Sequence, residues 1–147
     1  MTRVDFYQLS TDPVDVTVAK LARAAKQHGE RLLVVAADDA ALEHLSGRLW
    51  ELGGRAFLAN GRVDGAHASR QPILLSTSCD APNDARMVIL ADGKWREEVT
   101  RFDSVKLLFG AEATQDARAL WRELSGRDDI DNRIFKQTPE GGWREGR

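Results

Sequence analysis

An α/β fold, one domain of mostly parallel sheet flanked by helices, follows from three features of the 147-residue sequence. Short apolar runs, at residues 31–36, 72–76 and 87–91, lack the two-residue alternation of half-exposed strands, as expected of strands covered on both faces. Between them, apolar residues recur at steps of three and four, the period of a helix with one buried stripe. Glycine, proline and short polar side chains stand at the junctions, where they start or stop such elements.

The order of elements reads from the amino terminus. Residues 4–9 predict a first strand. Thr11-Asp12-Pro13 then announces a helix, with a capping side chain followed by a proline whose missing N–H costs nothing there. Val14, Val18, Leu21, Ala22 and Ala25 form its stripe, and Gly29 closes it. After the strand at 31–36, Asp38 caps a second helix carrying Leu42, Leu45, Leu49 and Leu52, which Gly53-Gly54 ends. A short strand is expected at 55–58 and a surface loop over 60–70. Strands at 72–76 and 87–91 flank the turn signal Pro82-Asn83. Residues 95–102 predict one or two helical turns, 104–109 a strand, and 112–124 a third helix ending at Gly126. Residues 132–138 are expected to form a last edge strand, and 139–143 a turn into a short tail.

Composition excludes several classes. Hydrophobic residues at 42% and charged residues at 30% are those of an ordinary globular chain. A net charge of −2 argues against a dedicated duplex-binding protein, and DNA contact is expected only indirectly, through a partner. One cysteine, Cys79, allows neither an internal disulfide nor a cysteine-built zinc site. No apolar run is long enough for a bilayer, and no signal peptide is apparent, so a cytoplasmic protein without membrane contact is expected.

The chemistry-bearing motifs are sparse. The first strand-to-helix turn, Leu9-Ser10-Thr11-Asp12-Pro13, has no glycine to admit phosphates, and the second, Ala36-Ala37-Asp38-Asp39-Ala40, carries two repelling carboxylates. Neither dinucleotide nor P-loop spacing occurs, and no cofactor is implied. His28, His44 and His67 lie on different elements without ligand spacing. Asp38 and Asp39 can either cap a helix or hold magnesium. The second use belongs to a rival reading, a nucleotide- or metal-dependent enzyme on the same sheet. Ser76-Thr77-Ser78-Cys79 lacks a nucleophile elbow and a nearby histidine.

Aromatic and arginine side chains remain. Trp50 stands beside the leucine stripe of the second helix and Phe57 follows seven residues later. The two either pack in the core or present an exposed aromatic pair of the kind that partners bury. On the third helix Arg118 and Arg122 are four apart and share a face, with Trp121 beside them. Two guanidiniums next to an aromatic suit a carboxylate or an acidic peptide, or else form a solvated ion-paired face.

Read in order, the segments Asp5-Phe6-Tyr7-Gln8-Leu9, 29–37, Leu49-Trp50, Ala56-Phe57-Leu58 and 71–76 resemble the chi subunit family of bacterial DNA polymerase III holoenzyme. So do Pro82-Asn83, 87–93, 101–105, Ala117-Arg118, Trp121-Arg122, Lys136-Gln137-Thr138 and Gly141-Gly142-Trp143. The resemblance implies a nucleotide-binding-like fold without a phosphate loop, no catalytic activity, and a role as a clamp-loader adaptor. Two partners are implied: the acidic C-terminal tail of single-stranded DNA-binding protein, ending in phenylalanine, and the psi subunit or another clamp-loader component. Matched position by position, Arg118, Arg122, Trp121 and Leu107 fall at the tail-binding pocket, and Trp50 and Phe57 at the psi-facing surface. Thr114 stands where some relatives carry a basic residue. Ala59-Asn60 replaces a frequent Pro-His, and Ile134-Phe135 a Tyr-Trp pair.

Overall fold

The computed structural model describes residues 1–146. Strands β1 (Thr2–Gln8), β2 (Leu32–Val35), β3 (Asn60–Arg62), β4 (Ile73–Ser76), β5 (Met87–Leu90), β6 (Ser104–Phe109), β7 (Ile130–Gln137) and β8 (Trp143–Gly146) form one sheet. Their spatial order is β3-β4-β2-β5-β6-β1-β7-β8, parallel throughout except for the antiparallel β7–β8 pair. Helices α1 (Val14–Gln27) and α2 (Asp39–Gly53) cover one face, and α3 (Thr114–Ser125) the other.

The continuous apolar runs lie where a parallel sheet is covered twice. All four residues of β2 are buried, with Leu33 and Val35 facing the α3 side and Leu32 and Val34 facing α1 and α2. The predicted stripes make the helix contacts. Val18 and Ala22 of α1, joined by Ala19, share one core with Leu42, Leu45 and Leu49 of α2, while Ala117 and Leu124 of α3 belong to the other. Asp38 caps α2 by accepting from the Ala41 N–H at 2.8 Å. Gly29 ends α1 in the left-handed region (φ +68°), as its position after the helix predicts. The predicted 82–83 turn is held by the fully buried Asn83. Its Nδ2 donates to the Gln71 and Leu32 carbonyls, and its Oδ1 accepts from Ala85.

Four expectations are corrected. Pro13, not a polar side chain, is the N-cap of α1, and Asp12 instead accepts from Lys20 on the helix flank. The turn before α1 is held from afar: Gln137 Oε1 accepts the N–H groups of Ser10, Thr11 and Asp12, each at 3.0 Å. Residues 55–58 are not a strand. Gly54–Ala56 is a 3-10 turn, Phe57 is left-handed (φ 48°), and the edge strand falls three residues later, inside the expected loop. The segment expected as the last edge strand is interior, because the tail turns back after Gly141 and adds β8 outside it.

Candidate functional site

The order of strands places three side chains in a row at the carboxyl end of the sheet, on the face covered by α3. Register pairs Gln8 of β1 with Phe109 of β6 on one side and with Lys136 of β7 on the other. One step inward the same strands set Phe6 between Leu107 and Ile134. α3 begins above this row, so that Thr114, Ala117, Arg118 and Trp121 form its roof. The cavity between roof and row measures about 160 Å³, comparable to a single bound side chain.

Its interior is aromatic and rigid. The Trp121 ring meets Phe6 edge to face at 5.3 Å, and Phe6 meets Phe109 at 6.5 Å in the same manner. Behind the roof, Asn132 donates to the Trp121 carbonyl and to Ser125 Oγ, tying α3 to β7. The rim is polar. Arg118 and Lys136 are exposed, Gln8 is half-buried, and no side chain among the described residues pairs with any of the three. An apolar slot between two unneutralised cations fits an apolar group that carries a carboxylate beside it.

The sequence-predicted residues divide. Arg118 and Trp121 line this cavity. Arg122 is exposed and has no partner among the described residues, but it projects from the next turn of α3, outside the lining. Leu107 is fully buried in the core and offers no surface; the walls expected of it are Phe6, Phe109 and Ile134. Gln8, Ile134 and Lys136 are additions. The Lys136-Gln137-Thr138 segment is visible in the sequence, but successive strand residues face opposite ways. Only the placement of β7 beside β1 separates Lys136, at the cavity, from Gln137, which faces the α1 turn.

Trp50 and Phe57 lie elsewhere, at the far end of α2. The core alternative for them is excluded: Trp50 is 54% exposed and Phe57 71%. Phe57 holds a backbone conformation that costs a non-glycine residue about 1–2 kcal/mol, and its carbonyl accepts from Lys26 Nζ at 3.2 Å. A large ring held outward at such a cost is otherwise unexplained by folding.

Other clefts are less suited to an anion. The crevice at the carboxyl ends of β2 and β5, where related sheets bind nucleotides, is lined by apolar residues with Asp15, His44 and Asp92. Burial pushes both carboxyls up. Arg48 and the Val16 N–H bring Asp15, and Arg96 and the Lys94 N–H bring Asp92, back below the ordinary carboxylate range, so both are anionic. Each carboxylate is matched by its own arginine, Asp15 by Arg48 and Asp92 by Arg96, so neither arginine is free for a phosphate. Asp38 accepts from the Ala41 N–H in its cap and Asp39 pairs with Arg62, so both have structural uses. Burial pushes the Cys79 thiol up, away from the nucleophilic thiolate. A groove at the amino ends of the strands contains Arg3, Arg31, Arg86 and Lys106, but these already serve Asp5, Asp103 or backbone carbonyls.

Comparison with known proteins agrees in family and fold. A family model described as "DNA polymerase III chi subunit, HolC" matches residues 1–129. A Pseudomonas aeruginosa protein named DNA polymerase III subunit chi is 44% identical over 67 residues, which cover 44% of this chain and 47% of that protein. The matched region thus spans about half the length of that relative. Among solved structures, the RNA-helicase Prp28 from Chaetomium thermophilum bound to ADP superposes with a TM-score of 0.57 at 12% identity. It covers 95% of this chain and 38% of the helicase, and the likeness concerns the fold alone.

Proposed function

The chain belongs to the DNA polymerase III chi subunit family, and from that premise we propose that it is a non-catalytic replisome adaptor. One surface takes the acidic C-terminal tail of single-stranded DNA-binding protein, and the other takes psi or another clamp-loader component. The observation that carries the first half is the α3–β7 cavity, an aromatic slot rimmed by cations that no carboxylate among the described residues neutralises. A tail of aspartates ending in phenylalanine has the complementary chemistry: a ring for the slot, a free carboxylate for the rim, and further negative charge for Arg122.

Calorimetric titration with such a peptide tests it. Arg118→Ala is expected to weaken binding by roughly 1.5–3 kcal/mol, the scale of charge-assisted hydrogen bonds. Arg118→Lys should weaken it too, because an ammonium cannot reproduce a fork. Arg122→Ala, outside the cavity, is expected to cost under about 1 kcal/mol, as screened surface charges do. Equal affinity of wild type and Arg118→Ala would place the peptide elsewhere.

For the second surface, the outward ring of Phe57 supports the reading. Substituting glycine there removes the ring and relieves the left-handed backbone together. Folding stability of Phe57→Gly should therefore be unchanged or higher by up to about 1 kcal/mol. Docking to psi, followed by size-exclusion chromatography or calorimetry, should weaken by on the order of 2 kcal/mol or more. Undiminished docking would remove Phe57 from that surface.

A further inference from the structure

We infer that the outer ridge of α2 is a seat for one α-helix of the psi subunit, a helix with an apolar face and with lysines or arginines toward one end. The inference rests on the second surface proposed above and extends it from Trp50 and Phe57 along the length of α2.

Asp39, Glu43, Gly47 and Trp50 step by four, four and three, so they form one line along the helix, and all four are exposed. The rest of α2 is engaged with the chain itself. Leu45 and Leu49 face the core. On one flank Ser46 Oγ donates to Asn60 Oδ1 of β3 at 2.6 Å. On the other, Arg48 binds Asp15 of α1 at 2.8 Å and reaches Glu51. Gly47 lies between the two flanks and points to solvent.

Nothing in the chain accounts for a glycine there. Its backbone is ordinary helix, without the positive φ of Gly54, and a methyl group added to it meets no neighbouring atom within 4 Å. Glycine inside a helix lowers helix stability relative to alanine, so folding gains nothing from it. A bare position with Trp50 one turn beyond is a hole into which a partner helix sets a side chain while its backbone comes close. A helix presents one line of side chains along such a ridge, whereas an extended chain turns every second one away.

The carboxylates in the amino-terminal half of the line set the charge of the occupant. Glu43 pairs with no cation among the described residues, and Asp39 has Arg62, which also faces Asp64. Carboxylates four apart on a helix repel each other, and a basic segment laid across them removes that repulsion. At the other end of the line the outward rings of Trp50 and Phe57 take the apolar part of the same helix.

In the test psi is titrated calorimetrically into wild type, Gly47→Gln, Glu43→Lys and Phe57→Gly, with a melting curve for each variant. Gly47→Gln fills the hole with a side chain that helices favour over glycine, so Tm should be unchanged or higher by up to about 4 °C. Psi should nevertheless bind it at least about tenfold more weakly, the scale of an overfilled contact. Glu43→Lys should weaken binding by about threefold or more, and that loss should shrink as salt is added. Phe57→Gly reports on the surface as a whole. Weakened binding in Phe57→Gly with wild-type affinity in Gly47→Gln overturns the helix seat and leaves the psi surface in place. Wild-type or tighter binding by Glu43→Lys overturns the basic end of the helix. Full-strength binding by all three variants places psi elsewhere, and failure of wild type to bind removes the second surface, and the inference with it.

Discussion

Asp5→Asn is expected to lower the stability of the folded chain by about 3 kcal/mol, near the lower end of what stranding a buried charge costs. Asp5 has no solvent exposure, and its carboxylate binds Arg3 Nε at 2.8 Å and Lys106 Nζ at 2.9 Å. Lys106 reaches it across the β1–β6 register and is itself mostly covered, with its ammonium 5.5 Å from the Tyr7 ring centroid. Removing the carboxylate leaves that ammonium without a counter-charge. Arg3 is more exposed and can turn to water, which keeps the loss from reaching its upper range. Asp5→Leu combined with Lys106→Met should recover most of the loss, since an apolar pair replaces a buried ion pair at little or no cost. Urea unfolding of the single and double variants measures both. A loss below about 1 kcal/mol for Asp5→Asn would show that water reaches the pair.

Gln137→Leu is the second large effect, expected at roughly 3 kcal/mol. One side-chain oxygen accepts three backbone N–H groups of the β1–α1 turn, and the amide nitrogen donates to the Gly141 carbonyl at 3.3 Å. Each N–H left unmatched in a partly buried site costs about 1–3 kcal/mol, less where water can enter. Gln137→Glu keeps the acceptor and should lie much closer to wild type at neutral pH. Three N–H donors favour its ionised form and outweigh the neighbouring Asp12 carboxylate, which opposes it, so the new carboxyl lies below its unfolded value. The stability this adds is therefore present above the unfolded pKa and lost as pH falls through the folded one. Denaturant midpoints at neutral and acidic pH separate the two variants. A leucine variant as stable as wild type would mean the turn holds itself.

Both side chains illustrate what local sequence conveys and what it omits. Helix α2 is legible from Asp38 to Gly53-Gly54 because cap, stripe and stop are all local. The same holds for β2, β4 and β5, whose unbroken apolar runs have no other use than a doubly covered strand. The pairing of Arg118 with Trp121 on one helix face is likewise a matter of spacing along a single helix. Residues 55–58 misled because Ala56-Phe57-Leu58 has strand composition, while Gly53-Gly54 sets a turn whose backbone buries Leu58 and turns Phe57 out.

The chain's own pattern determined the alternation of strands and helices, the buried stripes and the aromatic–arginine face of α3. Tertiary structure alone decided that β7 lies between β1 and β8. That decision sends Gln137 to the α1 turn and brings Gln8 and Lys136 beneath Arg118. The physical reason is that periodicity records how many faces of an element are covered, not which element covers them. A parallel strand takes its neighbours through crossovers packed across the sheet, and those contacts join residues more than a hundred positions apart.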